Sequence, residues 1–156
     1  MKLWQVATVK TSGSAAKLRY SLVVQERAGG IAAKPGPVLV VDDYADSRAT
    51  LREMLEELGQ EVVEAGNGQE ALDFLVFHPE IRVQLILLDL DMPRMTGWEF
   101  LVLLKNYVRF ANIPVLVVSR HTSYLRPRDH GMIEGYIEAP QEMPRLRALV
   151  EAIVSH

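Results

Sequence analysis

The sequence predicts an α/β fold in which a parallel sheet of five strands is covered by helices on both faces. Two observations carry that expectation. From residue 37 onward, short runs rich in Val, Ile and Leu alternate with stretches whose apolar residues recur at helical spacing, joined by short links. Two of those runs, Val38–Val41 and Leu85–Leu88, stop abruptly in carboxylates, Asp42-Asp43 and Asp89. A run that is apolar at every position fits a strand buried on both faces, and in an open α/β sheet ligands bind at the carboxyl edge of such strands.

Each element has its own local reason. After the first strand, Leu51, Met54, Leu55 and Leu58 recur at i, i+3, i+4 and i+7 with charged residues between them, and Gly59 supplies the stop. Glu61–Ala65 reads as the second strand. Asn67-Gly68 then turns the chain into a helix over Gln69–Phe77 that Pro79 closes. Val83–Leu88 is the third strand, followed by a helix with Phe100, Leu101, Leu104 and Val108 on its apolar face. Ile113–Val118 is the fourth strand, after which the pattern blurs until Gly135–Glu138, the fifth. The last helix has Pro144 in its first turn and Leu146, Leu149, Val150 and Ile153 on one side.

Residues 1–36 are a different kind of segment. They hold six basic residues against Glu26 alone, a charge of +5, while residues 37–156 carry −8, within a total of −3. Leu18–Val24 alternates with period two, Leu3–Val9 is a weaker strand, and Thr11–Ser14 offers turn chemistry between them, so a β-hairpin extension is expected. The breakers Gly29-Gly30 and Pro35-Gly36-Pro37 mark its boundary with a domain over 37–156. Tyr20, Leu22 and Val24 share one strand face that needs apolar cover, from the body of the protein or from a second copy in a homodimer through residues 1–34. Six dispersed positive charges fit a solvated hairpin better than a nucleic-acid surface. The absence of cysteine excludes disulfides and thiolate metal sites. No apolar stretch approaches the roughly 18–20 residues that span a bilayer, and the N-terminus lacks the apolar core of a signal peptide. A cytoplasmic protein without membrane contact is the expectation.

The acids suggest chemistry. Carboxylates crowded at neighbouring strand ends repel one another unless one is protonated or a cation lies among them. Oxygen donors without cysteine suit a hard ion such as Mg²⁺, and an aspartate can serve as the nucleophile that forms an aspartyl-phosphate. Asp42-Asp43 alone would read as a charge pair favoured by a helix N-terminus; Asp89 and Met92-Pro93 in register move the balance to a site. Histidines 78, 121, 130 and 156 show no metal-ligand spacing and are expected on the surface, and Trp4 and Trp98 are expected to pack.

Val38-Leu39-Val40-Val41-Asp42-Asp43, taken with Asp89-Leu90-Asp91-Met92-Pro93-Arg94-Met95-Thr96-Gly97, resembles the receiver domain of two-component response regulators over residues 37–154. The resemblance implies a doubly wound sheet in the order 2-1-3-4-5. It also implies a phosphorelay in which Asp89 accepts a phosphoryl group from a histidine kinase or phosphotransfer protein and the signal leaves by protein contacts. By the same resemblance Asp43 binds Mg²⁺ directly and Asp42 helps through water. Asp89 and the backbone carbonyl of Asp91 complete the ligands. Ser119 matches the switch hydroxyl that turns toward the phosphate, and Tyr136 the aromatic that rotates inward with it. A phosphoryl group adds about −1.5 to −2 charge, enough to bias a loop with two arrangements.

The chain also departs from that family. Ala139 stands where receivers usually carry a lysine, and the only lysine after residue 34 is Lys105, on the third helix and out of reach of the acids. Arg120 follows Ser119 where a small residue is usual, and Pro127 and Gly131 interrupt a stretch that is normally helical. Arg120 is an available substitute cation, but strand alternation directs it away from Ser119. The expectation is therefore that phosphorylation occurs and drives the Ser119–Tyr136 switch weakly. The missing lysine also leaves open a pseudo-receiver that acts only as a protein-interaction module. Asp89-Leu90-Asp91 resembles in addition the nucleophile and acid pair of haloacid-dehalogenase-type phosphatases, yet the lysine and later acids of that family have no match here. On the preferred reading the protein is no enzyme beyond catalysing its own phosphorylation and dephosphorylation.

Overall fold

A computed structural model describes residues 35–120 and 131–155. The order of elements is β1 (Val38–Val41), α1 (Ala45–Glu57), β2 (Val62–Ala65), α2 (Gly68–Phe77), β3 (Leu85–Leu88), α3 (Gly97–Asn106), β4 (Val115–Ser119), β5 (Gly135–Glu138) and α4 (Met143–Val154). The strands form one sheet in the order β2-β1-β3-β4-β5, and all four pairings are parallel. The doubly wound order that the sequence implies is the one found. The proposed N-terminal hairpin and the irregular stretch around Pro127 lie outside the described residues.

Strand alternation assigns the two faces. Val38, Val40, Leu85, Leu87, Leu116, Val118 and Ile137 pack with Leu51, Met54 and Leu55 of α1 and Leu146 and Val150 of α4. Leu39, Val41, Ile86, Leu88, Val115 and Val117 pack on the opposite side with Ala71 and Phe74 of α2 and Phe100, Leu101 and Leu104 of α3. β1, β3 and β4 are buried at every position because both faces are covered. Full burial of one such side chain is worth about 1.5–3 kcal/mol.

The stop signals act as the sequence suggests. Gly59 takes φ +72°, its N–H bonds to Glu56 O (2.9 Å), and Gln60 N–H reaches Leu55 O (2.9 Å). This double bond pattern needs a left-handed residue at Gly59. Asn67 caps α2 by accepting from Glu70 N–H (2.9 Å). α2 ends at Phe77, because His78, the residue before Pro79, is driven out of the helical region.

Three boundaries differ from expectation by two residues or more. β3 starts at Leu85 and β4 at Val115, each two residues later than the apolar runs suggest. Val83 is buried without joining the ladder, so burial and strand pairing do not coincide there. Val108 is 92% exposed rather than part of the core face of α3. The helix ends at Asn106, Tyr107 turns extended, and Phe110 takes the buried position instead.

Candidate functional site

The strand order brings the acids together. β3 lies between β1 and β4, with Val41 opposite Leu88 and Leu88 opposite Val117. Asp89 N–H donates to Val41 O (2.8 Å), so Asp89 emerges level with Asp42 and beside the end of β4. One carboxylate oxygen each from Asp42, Asp43 and Asp89 lies within 4.8 Å of the others.

The three carboxylates have different surroundings. Asp42 is buried and already occupied: Oδ1 accepts from Tyr44 N–H (2.8 Å) and Oδ2 from the Ser47 hydroxyl (2.5 Å). These bonds satisfy the start of α1, whose first flanking residue, Tyr44, offers no side-chain cap. The Arg48 guanidinium donates to the main-chain oxygen of Asp42 (2.7 Å) and lies 4.0 Å from Glu64. Asp43 is exposed, and among the described residues nothing donates to its carboxylate. Asp89 is half-buried, and its Oδ1 accepts from Asp91 N–H (3.2 Å).

Burial pushes the Asp89 carboxyl up to about 6, with the charge of Asp42 the next cause and that of Asp43 a smaller one. The nearby Ser119 hydroxyl and the Asp91 N–H oppose that rise. The Ser119 hydroxyl is nevertheless buried without a partner in hydrogen-bonding geometry. It lies close enough to favour the charged carboxylate, yet it makes no hydrogen bond of full geometry. A buried donor left unmade costs free energy, and an oxygen-rich group on Asp89 would relieve that cost.

The loop after Asp89 is held closely. A Cβ at Gly97 would stand 1.9 Å from the Asp89 carbonyl oxygen, so only glycine admits the approach of α3 to the acid. Gly97 N–H donates to Leu90 O (3.1 Å). Thr96 Oγ1 accepts from Glu99 N–H (3.2 Å), and Glu99 Oε2 accepts from Thr96 N–H (2.8 Å). These reciprocal bonds close a capping box and hold the Glu99 carboxyl below its usual range. Arg94 sits in the left-handed region at φ 68°, a strained conformation for a residue with a side chain.

The remaining expected site residues are spread along the same edge. The Asp91 side chain is exposed and is not one of the three converging carboxylates; its backbone meets the site through Asp89. Tyr136 on β5 is 37% exposed, with the Arg145 guanidinium carbon 5.9 Å from its ring centre. Ala139 is half-buried and its N–H donates to Ser119 O (3.1 Å), so an uncharged residue stands beside Ser119. Lys105 is occupied elsewhere: its ammonium donates to Ala111 O (3.0 Å) and Ile113 O (2.9 Å). His78 stacks on Phe74 and approaches Glu80, away from the acids. Trp98 is half-buried against the α2–α3 core.

Sequence reasoning missed Ser47, Arg48 and Tyr44. Arg120 carries its guanidinium carbon 5.0 Å from the Tyr44 ring centre. Alternation does send Arg120 away from Ser119, but toward the face where Leu116 and Val118 pack with α1, and there it meets the loop that follows β1.

The donor set fits a hard divalent cation: three carboxylates converge, no nitrogen or sulfur ligand is among them, and their mutual repulsion is what a cation would relieve. This is the only such cluster among the described residues.

The family profile described as response regulator receiver domain matches residues 38–151. The chain is 32% identical over 127 residues to the polar-differentiation response regulator DivK of Brucella anthropi, a match covering 78% of this chain and 96% of that protein. It is 35% identical over 117 residues to the sensor histidine kinase CheAY of Helicobacter pylori, covering 73% of this chain but only 14% of that protein. A crystal structure of a response regulator receiver protein from Pseudomonas putida superposes with a TM-score of 0.66 at 26% identity, covering 78% of this chain and 99% of the other.

Proposed function

Because this chain belongs to the response regulator receiver family, we propose that it is a phosphoacceptor. Asp89 takes a phosphoryl group from the phosphohistidine of a histidine kinase or phosphotransfer protein, and the change is passed on through protein contacts. A carboxylate oxygen of Asp89 forms the new bond to phosphorus while the donor's imidazole nitrogen leaves with the electron pair of the broken bond. The observation that carries this reading is the convergence of Asp42, Asp43 and Asp89 beside a buried, unpartnered Ser119 hydroxyl.

The chain's own groups divide the work. Asp43, whose carboxylate accepts no hydrogen bond among the described residues, would hold Mg²⁺ directly. Asp42, already bonded to Tyr44 and Ser47, would contribute through water, and Asp89 and the Asp91 carbonyl would complete the set. When bound, Mg²⁺ neutralises charge on the transferring oxygens, which is most of what phosphoryl transfer asks of a protein. The Ser119 hydroxyl donates to a phosphoryl oxygen, and Tyr136 follows that movement as the readout. Residues 37–156 form the receiver, and residues 1–36 an extension that packs on it or on a second copy. Among the described residues no helix is long and apolar enough to cross a membrane, and the cytoplasm is where we place the protein.

Labelling tests the reading. A small phosphodonor such as acetyl phosphate is expected to modify Asp89 alone, only with Mg²⁺ present, as read by intact mass and peptide mapping. A label that survives chelator or Asp89→Asn overturns it. A wild type that never labels but still captures partners would establish the interaction-only reading, which the uncharged Ala139 favours. Turnover of a phosphomonoester would point instead to a phosphatase.

A second expectation separates the acids. Asp43→Ala should weaken Mg²⁺ binding in a calorimetric titration by about tenfold or more relative to wild type, and by more than Asp42→Ala does. Asp42→Ala should instead show its main effect on stability, since it strands the Tyr44 N–H and the Ser47 hydroxyl. Equal losses of affinity would contradict the assignment.

A further inference from the structure

The mouth of the acid site is bridged by a pair of side chains from its two flanking strands. β3 lies between β1 and β4, so the ends of the flanking strands stand about 10 Å apart, twice the spacing of paired strands. Tyr44 follows the acids at the end of β1, and Arg120 follows Ser119 at the end of β4. A guanidinium 5.0 Å from the Tyr44 ring centre thus joins the ends of the two strands that flank β3, the strand that Asp89 follows. Asp89 and Arg120 each stand one position beyond their strands, after β3 and β4 respectively.

Arg120 is also a cation left uncommitted by ion pairs among the described residues. Arg48 is bound to the Asp42 carbonyl and beside Glu64. Lys105 is held by two carbonyls behind α3, and Arg94 lines a groove on α3 with Trp98 and Val102. Arg120 is exposed and makes no ion pair among the described residues. An exposed cation–π contact is a weak resting place, whereas the guanidinium fork bonds phosphoryl oxygens in pairs. The position next to Ser119 on the other side is Ala139, which brings no charge.

We propose that Arg120 is the phosphoryl-binding cation of this site, resting on Tyr44 in the free protein and swinging onto the oxygens of the group carried by Asp89. The proposal rests on the phosphoacceptor reading and adds the side chain that recognises its product. The Tyr44 ring then acts as a holding position that keeps the guanidinium off the carboxylates until a phosphoryl group arrives.

The test uses the full chain and beryllofluoride with Mg²⁺ as the phosphoryl mimic, with Mg²⁺ affinity titrated separately. Arg120→Ala is expected to weaken beryllofluoride binding about tenfold, a change of ~1.4 kcal/mol, and Arg120→Lys to fall between the two. Tyr44→Ala is expected to tighten binding roughly twofold to fivefold, because the guanidinium no longer has to leave the ring. Arginine side-chain ¹⁵N signals should show the Arg120 guanidinium change surroundings on beryllofluoride uptake. Unchanged affinity in Arg120→Ala, a loss explained wholly by weaker Mg²⁺ binding, or a Tyr44→Ala variant as impaired as Arg120→Ala would each overturn the role of Arg120 while leaving Asp89 as acceptor. A wild type that takes up no beryllofluoride overturns the phosphoacceptor reading and this proposal together.

Discussion

Asp89→Asn should abolish phosphoryl labelling and, in the metal-free protein at pH 7, raise stability by about 1–2 kcal/mol. The Asp89 carboxyl is pushed from 3.8 to about 6 in the folded state, by burial first and by the Asp42 charge next. A carboxyl whose folded value is raised binds its proton more tightly when folded than when unfolded. The stability it contributes is present below the unfolded value near 4 and is lost as pH rises through about 6. At neutral pH the wild type therefore carries a penalty that asparagine, with no charge to bury, does not. A shift of this size would correspond to about 3 kcal/mol if unscreened, and the half-exposed position reduces that to about 1–2 kcal/mol. Urea denaturation in chelator between pH 4 and 8 would read it: the wild type should fall relative to the variant across pH 4–6. Saturating Mg²⁺ should reverse the order, since an ion at about 100 times its dissociation constant adds about 2.7 kcal/mol to a protein that binds it. A variant no more stable than wild type in chelator would show that the site does not strain the fold.

Gly97→Ala should cost about 3 kcal/mol, the upper end of the overpacking range, and reduce labelling at Asp89 by an order of magnitude or more. The added methyl carbon would lie 1.9 Å from the Asp89 carbonyl oxygen and 2.8 Å from Leu90 Cα. Both are backbone atoms that cannot rotate away, so the Asp89–Leu90 segment itself must shift. Gly59→Ala provides the contrast. It has nothing within 4 Å but sits at φ +72°, so its cost is conformational, about 1 kcal/mol, and should leave labelling intact. Thermal denaturation and acetyl phosphate labelling of both variants would separate a space requirement from a conformational one. Full labelling in Gly97→Ala would refute the argument.

Much of this was legible in the sequence, for a physical reason. Strands covered on both faces must be apolar throughout, so the carboxylates that end Val38–Val41 and Leu85–Leu88 stand out as strand-end acids. The caps at Gly59 and Asn67 are local chemistry and read directly. What failed was the equation of apolar with paired: Val83 is buried outside the ladder, and Val108 continues a periodicity that the backbone abandons at Tyr107. The surroundings of the acids were hidden because they depend on how the loop after β1 folds and on which strand ends meet. Nothing in the order of residues says that Ser47 will cap Asp42 or that Arg120 will meet Tyr44, 76 positions away by number. Such pairs depend on how strand ends are juxtaposed, and single-sequence patterns carry no record of that.

The brace on the segment after Asp89 decides where mechanical work can go. Asp91 is tied to the acid, Gly97 to Leu90, and Thr96 and Glu99 to each other. The segment is thus fixed at both ends, like a bracket bolted to the frame of α3. A new charge on Asp89 would find little slack on that side. On the other side stands the end of β4, where the Ser119 hydroxyl has no bond to break before it moves. The stiffness of one wall would turn a local charge into directed displacement, with the recoil taken up by the neighbouring strand.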